Sequence, residues 1–157
     1  MEPFAILFIV LGTGALVLLA SGPAMALQRS KRTAQREAYR LAEQQPVLVE
    51  DRLVLSYGRG GAGEAPKRGN GTLLCTADKL IFVRWSPRSR LIIPRHKIRS
   101  VRAPSSHNGK DAGTPLLSVI FEDASGEEEA IAWLVRDRRA WAMALARSAA
   151  SAPTNPL

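Results

Sequence analysis

Basic side chains are the groups in this sequence whose type and spacing could do chemistry. Segment 84–102 holds seven of them and no acidic residue: Arg84, Arg88, Arg90, Arg95, Lys97, Arg99 and Arg102. Guanidinium and ammonium groups form charge-assisted hydrogen bonds with phosphate, so such a cluster on adjacent strands could bind lipid headgroups. A structural interpretation is also open, because charges on exposed strands suppress edge-to-edge aggregation.

Catalytic and metal chemistry have little support in the sequence. His96 and His107 are the only histidines, and neither has a cysteine or carboxylate at ligand spacing. Cys75, the single cysteine, alternates with Leu73 and is expected to be a small buried residue. The glycine-rich segment 58–71 lacks the Gly-Lys-Ser/Thr ending of a phosphate-binding loop and is typical of a flexible hairpin. We therefore expect no metal, no cofactor and no enzymatic activity.

Length and charge set broad limits on the function. The chain of 157 residues has 22 basic and 14 acidic side chains, which give a formal net charge of +8. Its length suits one ordinary domain plus a membrane segment. The charge favours an anionic partner, which could be a lipid surface, a nucleic acid or an acidic protein. A nucleic acid is not expected, because the sequence has no recognisable binding motif and little aromatic surface for base stacking.

The N-terminal segment is apolar enough to cross a membrane. Residues 4–27 carry no charge, and as a helix they reach about 36 Å, against a hydrocarbon core of about 30 Å. We therefore predict a transmembrane anchor over residues 1–28. A cleaved signal peptide is the alternative, since Ala-Met-Ala at 24–26 resembles a cleavage site. The acidic Glu2, the absence of a basic n-region and the length of the apolar run favour the anchor.

A basic cluster follows the predicted span and indicates its orientation. Its members are Arg29, Lys31, Arg32, Arg36 and Arg40. By the positive-inside rule the C-terminal domain is cytoplasmic and the N-terminus lies outside, with the chain in the cell inner membrane. Residues 29–46 also carry alanines at helical spacing, which predicts a basic juxtamembrane helix or linker. The cations either attract anionic lipid or only set this topology.

The pattern becomes extended after Pro46. Seven short segments rich in β-branched and aromatic residues follow, each bounded by turn residues: VLVEDRLVLSY, GTLLCTA, KLIFVRWS, RLIIP, KIRSVRA, PLLSVIFED and EEEAIAWLV. Asp137 is a suitable N-cap for a C-terminal amphipathic helix, RRAWAMALARSAA. The tail 151–157 has nothing to pack against and is expected to be disordered.

Two stretches carry a family resemblance. The run GTLLCTADKLIFVRWSPRSRLIIPRHKIRSV over 71–101 resembles GRAM and bacterial PH-like domains, and so does the passage from last strand to helix between Trp133 and Trp141. The resemblance covers about residues 47–150. It implies a mainly β, PH-like split barrel of about seven antiparallel strands capped by a C-terminal α-helix. It also implies binding rather than catalysis, with phosphoinositides or protein segments as frequent ligands.

The resemblance places a lipid site in the first hairpin, where Arg59, Lys67 and Arg68 lie, although the second strand, GTLLCTA, contains no cation. Trp85 ends a strand beside Arg84 and Arg88, so we expect it at the membrane interface, whereas the tryptophans at 133 and 141 suit the core. The candidate lipid-binding residues are Arg29, Lys31, Arg32, Lys67, Arg68, Arg84, Trp85, Arg88 and Arg90.

These patterns together predict a single-pass, membrane-anchored binding or scaffold module on the cytoplasmic face. Its expected partners are the membrane itself, anionic lipid headgroups or another membrane protein. An alternative is an accessory subunit of a transporter or envelope-synthesis complex, in which the apolar helix packs against other spans.

Overall fold

Nine strands and two α-helices make up the part of the chain that the computed structural model describes, residues 24–60 and 68–146. Helix α1 covers residues 24–41. The later elements are β1 Val49–Gly60, β2 Gly69–Cys75, β3 Lys79–Arg84, β4 Ser89–Pro94, a 3-10 helix Arg95–Lys97, β5 Ile98–Arg102, β6 Ser106–His107, β7 Lys110–Asp111, β8 Leu117–Glu122, β9 Glu128–Leu134 and α2 Arg138–Ala146. The prediction of a mainly β fold with a C-terminal helix is confirmed.

Seven strands form one antiparallel sheet in the order β4-β3-β2-β1-β9-β8-β5. In a flat sheet of this size the edge strands β4 and β5 would lie about 29 Å apart, at about 4.8 Å per strand. Yet only the 3-10 helix joins Pro94 to Ile98, and a link of that length reaches about 14 Å at most. The sheet therefore curls until its two edges approach each other.

Strand β1 allows this curl because it is irregular on both sides. Its pairing with β2 shifts register between Asp51 and Val54, and its pairing with β9 shifts between Ser56 and Arg59. Each shift places an extra residue in β1, and such bulges bend a strand and increase its twist. One bent strand thus belongs to both halves of the sheet.

The inner face of the curled sheet encloses the main core. Leu73, Cys75 and Phe82 from one half meet Val119 and Ile131 from the other. Trp133 and Trp141 are 0% and 1% exposed in this cluster, as expected from the sequence. Helix α2 closes the core. Its N-terminus is capped by Asp137, whose carboxylate accepts a hydrogen bond of 3.0 Å from the backbone N–H of Ala140.

Helix α1 covers the opposite face of strands β2 and β3. Ala34, Ala38 and Ala42 are buried against Leu74, Ile81, Val83 and Trp85. Alternate residues of a strand point to opposite faces, so the unbroken apolar run 80–83 reflects a strand that is buried on both sides. The predicted juxtamembrane helix is therefore a packed layer of the domain, since its small side chains let the helix lie close to the sheet.

The segment between β5 and β8 contains structure of its own. Strands β6 and β7 form a two-stranded hairpin. His107 Nε2 lies 3.0 Å from the carbonyl oxygen of Gly58 on β1, and the amide of Asn108 donates to the carbonyl oxygens of Tyr57 and Arg59 on the same strand. These long-range hydrogen bonds stabilise a hairpin that is too short to be predicted from the sequence.

The first hairpin also differs from the prediction. Segment 58–71 was expected to exclude regular structure, yet β1 extends to Gly60 and β2 begins at Gly69. Cross-strand pairing with β9 and with β1 extends both strands beyond what the glycines suggest. The loop between them, including Lys67, lies outside the described residues.

The predicted anchor and tail also lie largely outside the described part. Residues 1–23 of the span and the whole of 151–157 are not described. Within 24–60 and 68–146, no helix combines the length and the apolar character that a bilayer crossing requires.

Candidate functional site

Helix α1 is fixed at both ends, and this sets which residues meet. Nearly two turns into the described part of the helix, Ser30 Oγ donates a hydrogen bond of 2.5 Å to the carbonyl oxygen of Trp85. Just past its C-terminal end, the carboxylate of Glu43 forms an ion pair of 2.7 Å with Lys79 Nζ. The side-chain amide of Gln45 donates a hydrogen bond of 3.0 Å to the carboxylate of Asp78. The helix therefore runs from the β3–β4 turn to the β2–β3 turn.

The β1–β2 and β3–β4 hairpins lie at the same end of the sheet as the start of α1. Gly71 pairs with Arg84 across β2 and β3, and Arg84 pairs with Ser89 across β3 and β4. The backbone N–H of Trp85 donates 3.0 Å to the carbonyl oxygen of Asn70. We call this end of the domain the hairpin end. It gathers candidate cations from α1, the first hairpin and the β3–β4 turn.

Trp85 and Arg84 do not lie on the surface as expected. Trp85 is 7% exposed, and its indole Nε1 donates to Thr72 Oγ1 over 3.4 Å. Arg84 is 9% exposed and donates from Nε to the carbonyl oxygen of Pro87 at 3.0 Å. The exposure of Trp85 was mispredicted because α1 covers its face of the strand, whereas Arg84 points to the opposite face and lies beside Gly69. The side chain of Lys31 lies over the Trp85 ring, with Nζ 5.5 Å from the ring centroid.

Arg88 and Arg90 stay exposed beside α1. Their guanidinium groups lie 3.9 and 3.8 Å from the carboxylate of Glu37 on that helix. These long, solvated contacts contribute little stability, so both arginines keep the capacity to bind another anion. The sequence singled out both arginines but not Glu37.

Arg68 extends the basic surface at the hairpin end. Its guanidinium carbon lies 4.3 Å from the centroid of the Tyr57 ring on β1. A cation over an aromatic face is held electrostatically without losing its charge. Arg29 and Arg32 complete the described candidates on the exposed face of α1.

The basic run 84–102 does not form one surface. Arg95 is 6% exposed and donates to the carbonyl oxygens of Thr76, Ala144 and Leu145. Lys97 donates to the carbonyl oxygen of Asp123, and Arg99 forms an ion pair with Glu122. These residues lie on the 3-10 helix and β5, at the other edge of the sheet from β4. The expectation that the whole run lies on adjacent strands was therefore wrong, because the chain passes at Arg95–Lys97 from the edge strand β4 to the other edge strand, β5.

Other chemistry is not assembled in the described residues. Burial raises the pKa of the Cys75 thiol, and the positive charge of Arg95 opposes this only in part. Among residues 24–60 and 68–146, no group of three or more His, Cys, Asp or Glu side chains is placed to hold a metal ion.

A polar cleft of about 360 Å³ lies between the start of β1 and the passage from β9 to α2. Asp51 lines it and accepts a hydrogen bond of 2.7 Å from the backbone N–H of Arg136. No sequence pattern predicts this cleft, since its two walls are distant along the chain.

No protein-family model matches the chain, and neither does any curated protein. Several solved structures are similar to it, among them the following two. One is a chain of the 8S snRNP assembly intermediate, with a TM-score of 0.55 and 12% identity, covering 73% of this chain and 92% of the other. The second is the C-terminal domain of an unknown protein from Leishmania infantum, with a TM-score of 0.50 and 14% identity over 74% and 95% of the two chains. At such identities the likeness is one of fold alone.

Proposed function

We propose that this chain is a non-enzymatic, single-pass membrane protein. Its PH-like domain lies on the cytoplasmic face of the inner membrane and engages anionic lipid headgroups or a membrane-protein partner. The curled sheet of seven antiparallel strands with its C-terminal helix supports the PH-like assignment. The uncharged run 4–27 supports the anchor.

One observation carries the proposal. Helix α1 meets the hairpin end at Ser30, whose hydroxyl contacts the backbone of Trp85. An apolar span that precedes α1 in the sequence must therefore leave the domain at the end where Arg29, Arg68 and Arg88 are exposed. Cations close to an anionic bilayer are attracted by about 1 kcal/mol each. The position of the anchor and the position of the charges thus favour the same surface.

The anchor and its orientation are tested with the full chain in bacterial membranes. We expect the protein to resist alkaline carbonate extraction. Protease should digest the domain in inside-out vesicles and leave it intact in spheroplasts. Release by carbonate contradicts the anchor, and digestion in spheroplasts contradicts the cytoplasmic orientation.

A permanent complex with a transporter or envelope-synthesis enzyme is the competing function. Purification of the full chain in mild detergent separates the two. Recovery of the chain alone supports an independent module, whereas stoichiometric co-purification of another membrane protein supports the accessory subunit.

A further inference from the structure

Helix α1 carries a line of arginines on the side that faces away from the sheet. At 100° per residue, Arg29, Arg32, Arg36 and Arg40 fall within an arc of about 80°. The buried alanines at 34, 38 and 42 centre on the opposite side of the same helix. All four arginines are exposed. We call them the arginine stripe, and it is about 16 Å long at 1.5 Å per residue.

The stripe has no counter-charge within the domain. Among the described residues, no ion pair or side-chain hydrogen bond engages any of the four guanidinium groups. The nearby acidic side chains turn towards the sheet, where Glu37 faces Arg88 and Arg90 and Glu43 pairs with Lys79. Four unpaired guanidinium groups in one line fit a flat anionic surface.

We propose that the stripe lies flat on the membrane, so that α1 is parallel to the bilayer and all four arginines bind lipid phosphates. This rests on the proposed membrane anchor and adds an orientation to it. In the other arrangement, with the hairpin end pointing at the bilayer, only Arg29 and Arg32 would be near the headgroups. Arg40 would then lie about 16 Å deeper in the cytoplasm, beyond a Debye length of about 8 Å.

One further feature favours the flat arrangement. Met25 is 62% exposed and falls on the same side of α1 as the stripe, where it can enter the apolar layer beneath the headgroups. Lys31, which lies over Trp85, is not part of this surface.

The orientation is tested on the full chain in lipid nanodiscs by the rate at which phenylglyoxal modifies each arginine, read by mass spectrometry. Discs of phosphatidylcholine with phosphatidylglycerol are compared with discs of phosphatidylcholine alone. A contact of about 1 kcal/mol corresponds to about fivefold protection. We expect all four stripe arginines to be protected about fivefold in the anionic discs, while the exposed Arg102 and Arg138 react alike in both.

Each other outcome overturns the proposal. If Arg29 and Arg32 are protected but Arg36 and Arg40 react as Arg102 does, the flat orientation is wrong and lipid binding survives. If none of the four is protected, the proposal that α1 binds lipid is wrong, and an acidic protein becomes the expected partner of the stripe. If the chain does not enter nanodiscs, both the proposed membrane anchor and the proposed flat orientation are wrong.

A pair of double variants checks the same point. The variant R36Q/R40Q loses two of the four contacts, so the docked state weakens about 25-fold and the protection of Arg29 and Arg32 falls. The control R102Q/R138Q removes the same amount of charge elsewhere, and in this variant Arg29 and Arg32 keep their full protection. Unchanged protection of Arg29 and Arg32 in R36Q/R40Q contradicts the flat orientation, provided that circular dichroism shows both variants folded.

Discussion

The guanidinium of Arg95 donates a hydrogen bond of 2.6 Å to the backbone carbonyl oxygen of Ala144. A second one reaches the carbonyl oxygen of Leu145 at 3.0 Å, and a third that of Thr76 at 2.9 Å. The last carbonyls of a helix have no partner within the helix, so Arg95 satisfies the end of α2 while it joins the helix to the β2–β3 turn. Arg95, a member of the basic segment 84–102, thus stabilises the fold of the domain.

Replacement of Arg95 by methionine should destabilise the domain by about 3 kcal/mol. The change leaves three buried carbonyl oxygens without their charged donor. Chemical denaturation monitored by tryptophan fluorescence measures the loss. The exposed Arg102→Met is the control and should stay within about 0.5 kcal/mol of the parent. Equal stabilities of the two variants would show that the Arg95 contacts contribute nothing.

Substitution of Gly71 by alanine should cost about 3 kcal/mol. A Cβ there would lie 2.3 Å from Phe82 Cε2 and 2.7 Å from the carbonyl oxygen of Val83, so a core ring or the backbone has to move. Gly69→Ala on the same strand meets the side-chain methylene of Arg84 at 2.6 Å. Because that chain is more adaptable, we expect a smaller cost of about 1 kcal/mol. Thermal unfolding of the two variants gives the comparison, and the reverse order would contradict it.

A glutamine at position 38 should loosen α1 from the sheet. Ala38 is 0% exposed against Leu74 and Ile81, so a long amide there overfills the contact and is left without a partner, at about 3 kcal/mol. Arg36→Gln introduces the same side chain on the exposed side and should change stability by less than about 0.5 kcal/mol. Hydrogen exchange of the α1 amides reports the loosening directly. Equal protection of α1 in both variants would mean that the alanine face does not hold the helix.

Stability should fall as the pH drops below about 6.5, the ordinary value for histidine. Burial lowers the pKa of His107, although its hydrogen bond to Gly58 partly opposes this. The unfolded chain therefore binds a proton at a higher pH than the folded one, and the stabilisation present above the ordinary pKa is lost as the pH falls towards the folded value. Thermal unfolding at about pH 7.5 and about pH 5.5 should show this slope.

Two variants identify the group that causes this dependence of stability on pH. His107→Gln should remove it, since an amide can still donate to the carbonyl oxygen of Gly58 but does not titrate. His96→Gln, at an exposed position, should keep it. A slope that persists in the His107 variant would show that another group is responsible.

The sequence predicted the regular part of the fold well. Each of the seven proposed strands corresponds to a strand of the main sheet, and Asp137 caps α2 as expected. Cys75 is buried in the core, as its alternation with Leu73 indicated. These features depend on period-two patterns and local capping, which neighbouring residues determine.

The candidate site was predicted only in part. Arg88 and Arg90 are exposed near α1. Trp85 is buried because that helix covers its face of the strand, and Arg84 is buried on the opposite face. A hint was present in Leu80–Val83, four consecutive apolar residues that need cover on both faces. The cleft at Asp51 was beyond prediction, since its hydrogen bond joins residues 85 positions apart.

The two ends of α1 have a mechanical consequence. Ser30 joins the helix to the β3–β4 turn, and Glu43, just past its C-terminal end, joins it to Lys79, with three buried alanines between them. A pull along the helix axis, applied through the residues that precede it, loads all of these contacts together in shear. Contacts that share a load resist force better than contacts that peel open one by one. The domain is thus built to stay folded under tension from its N-terminal side.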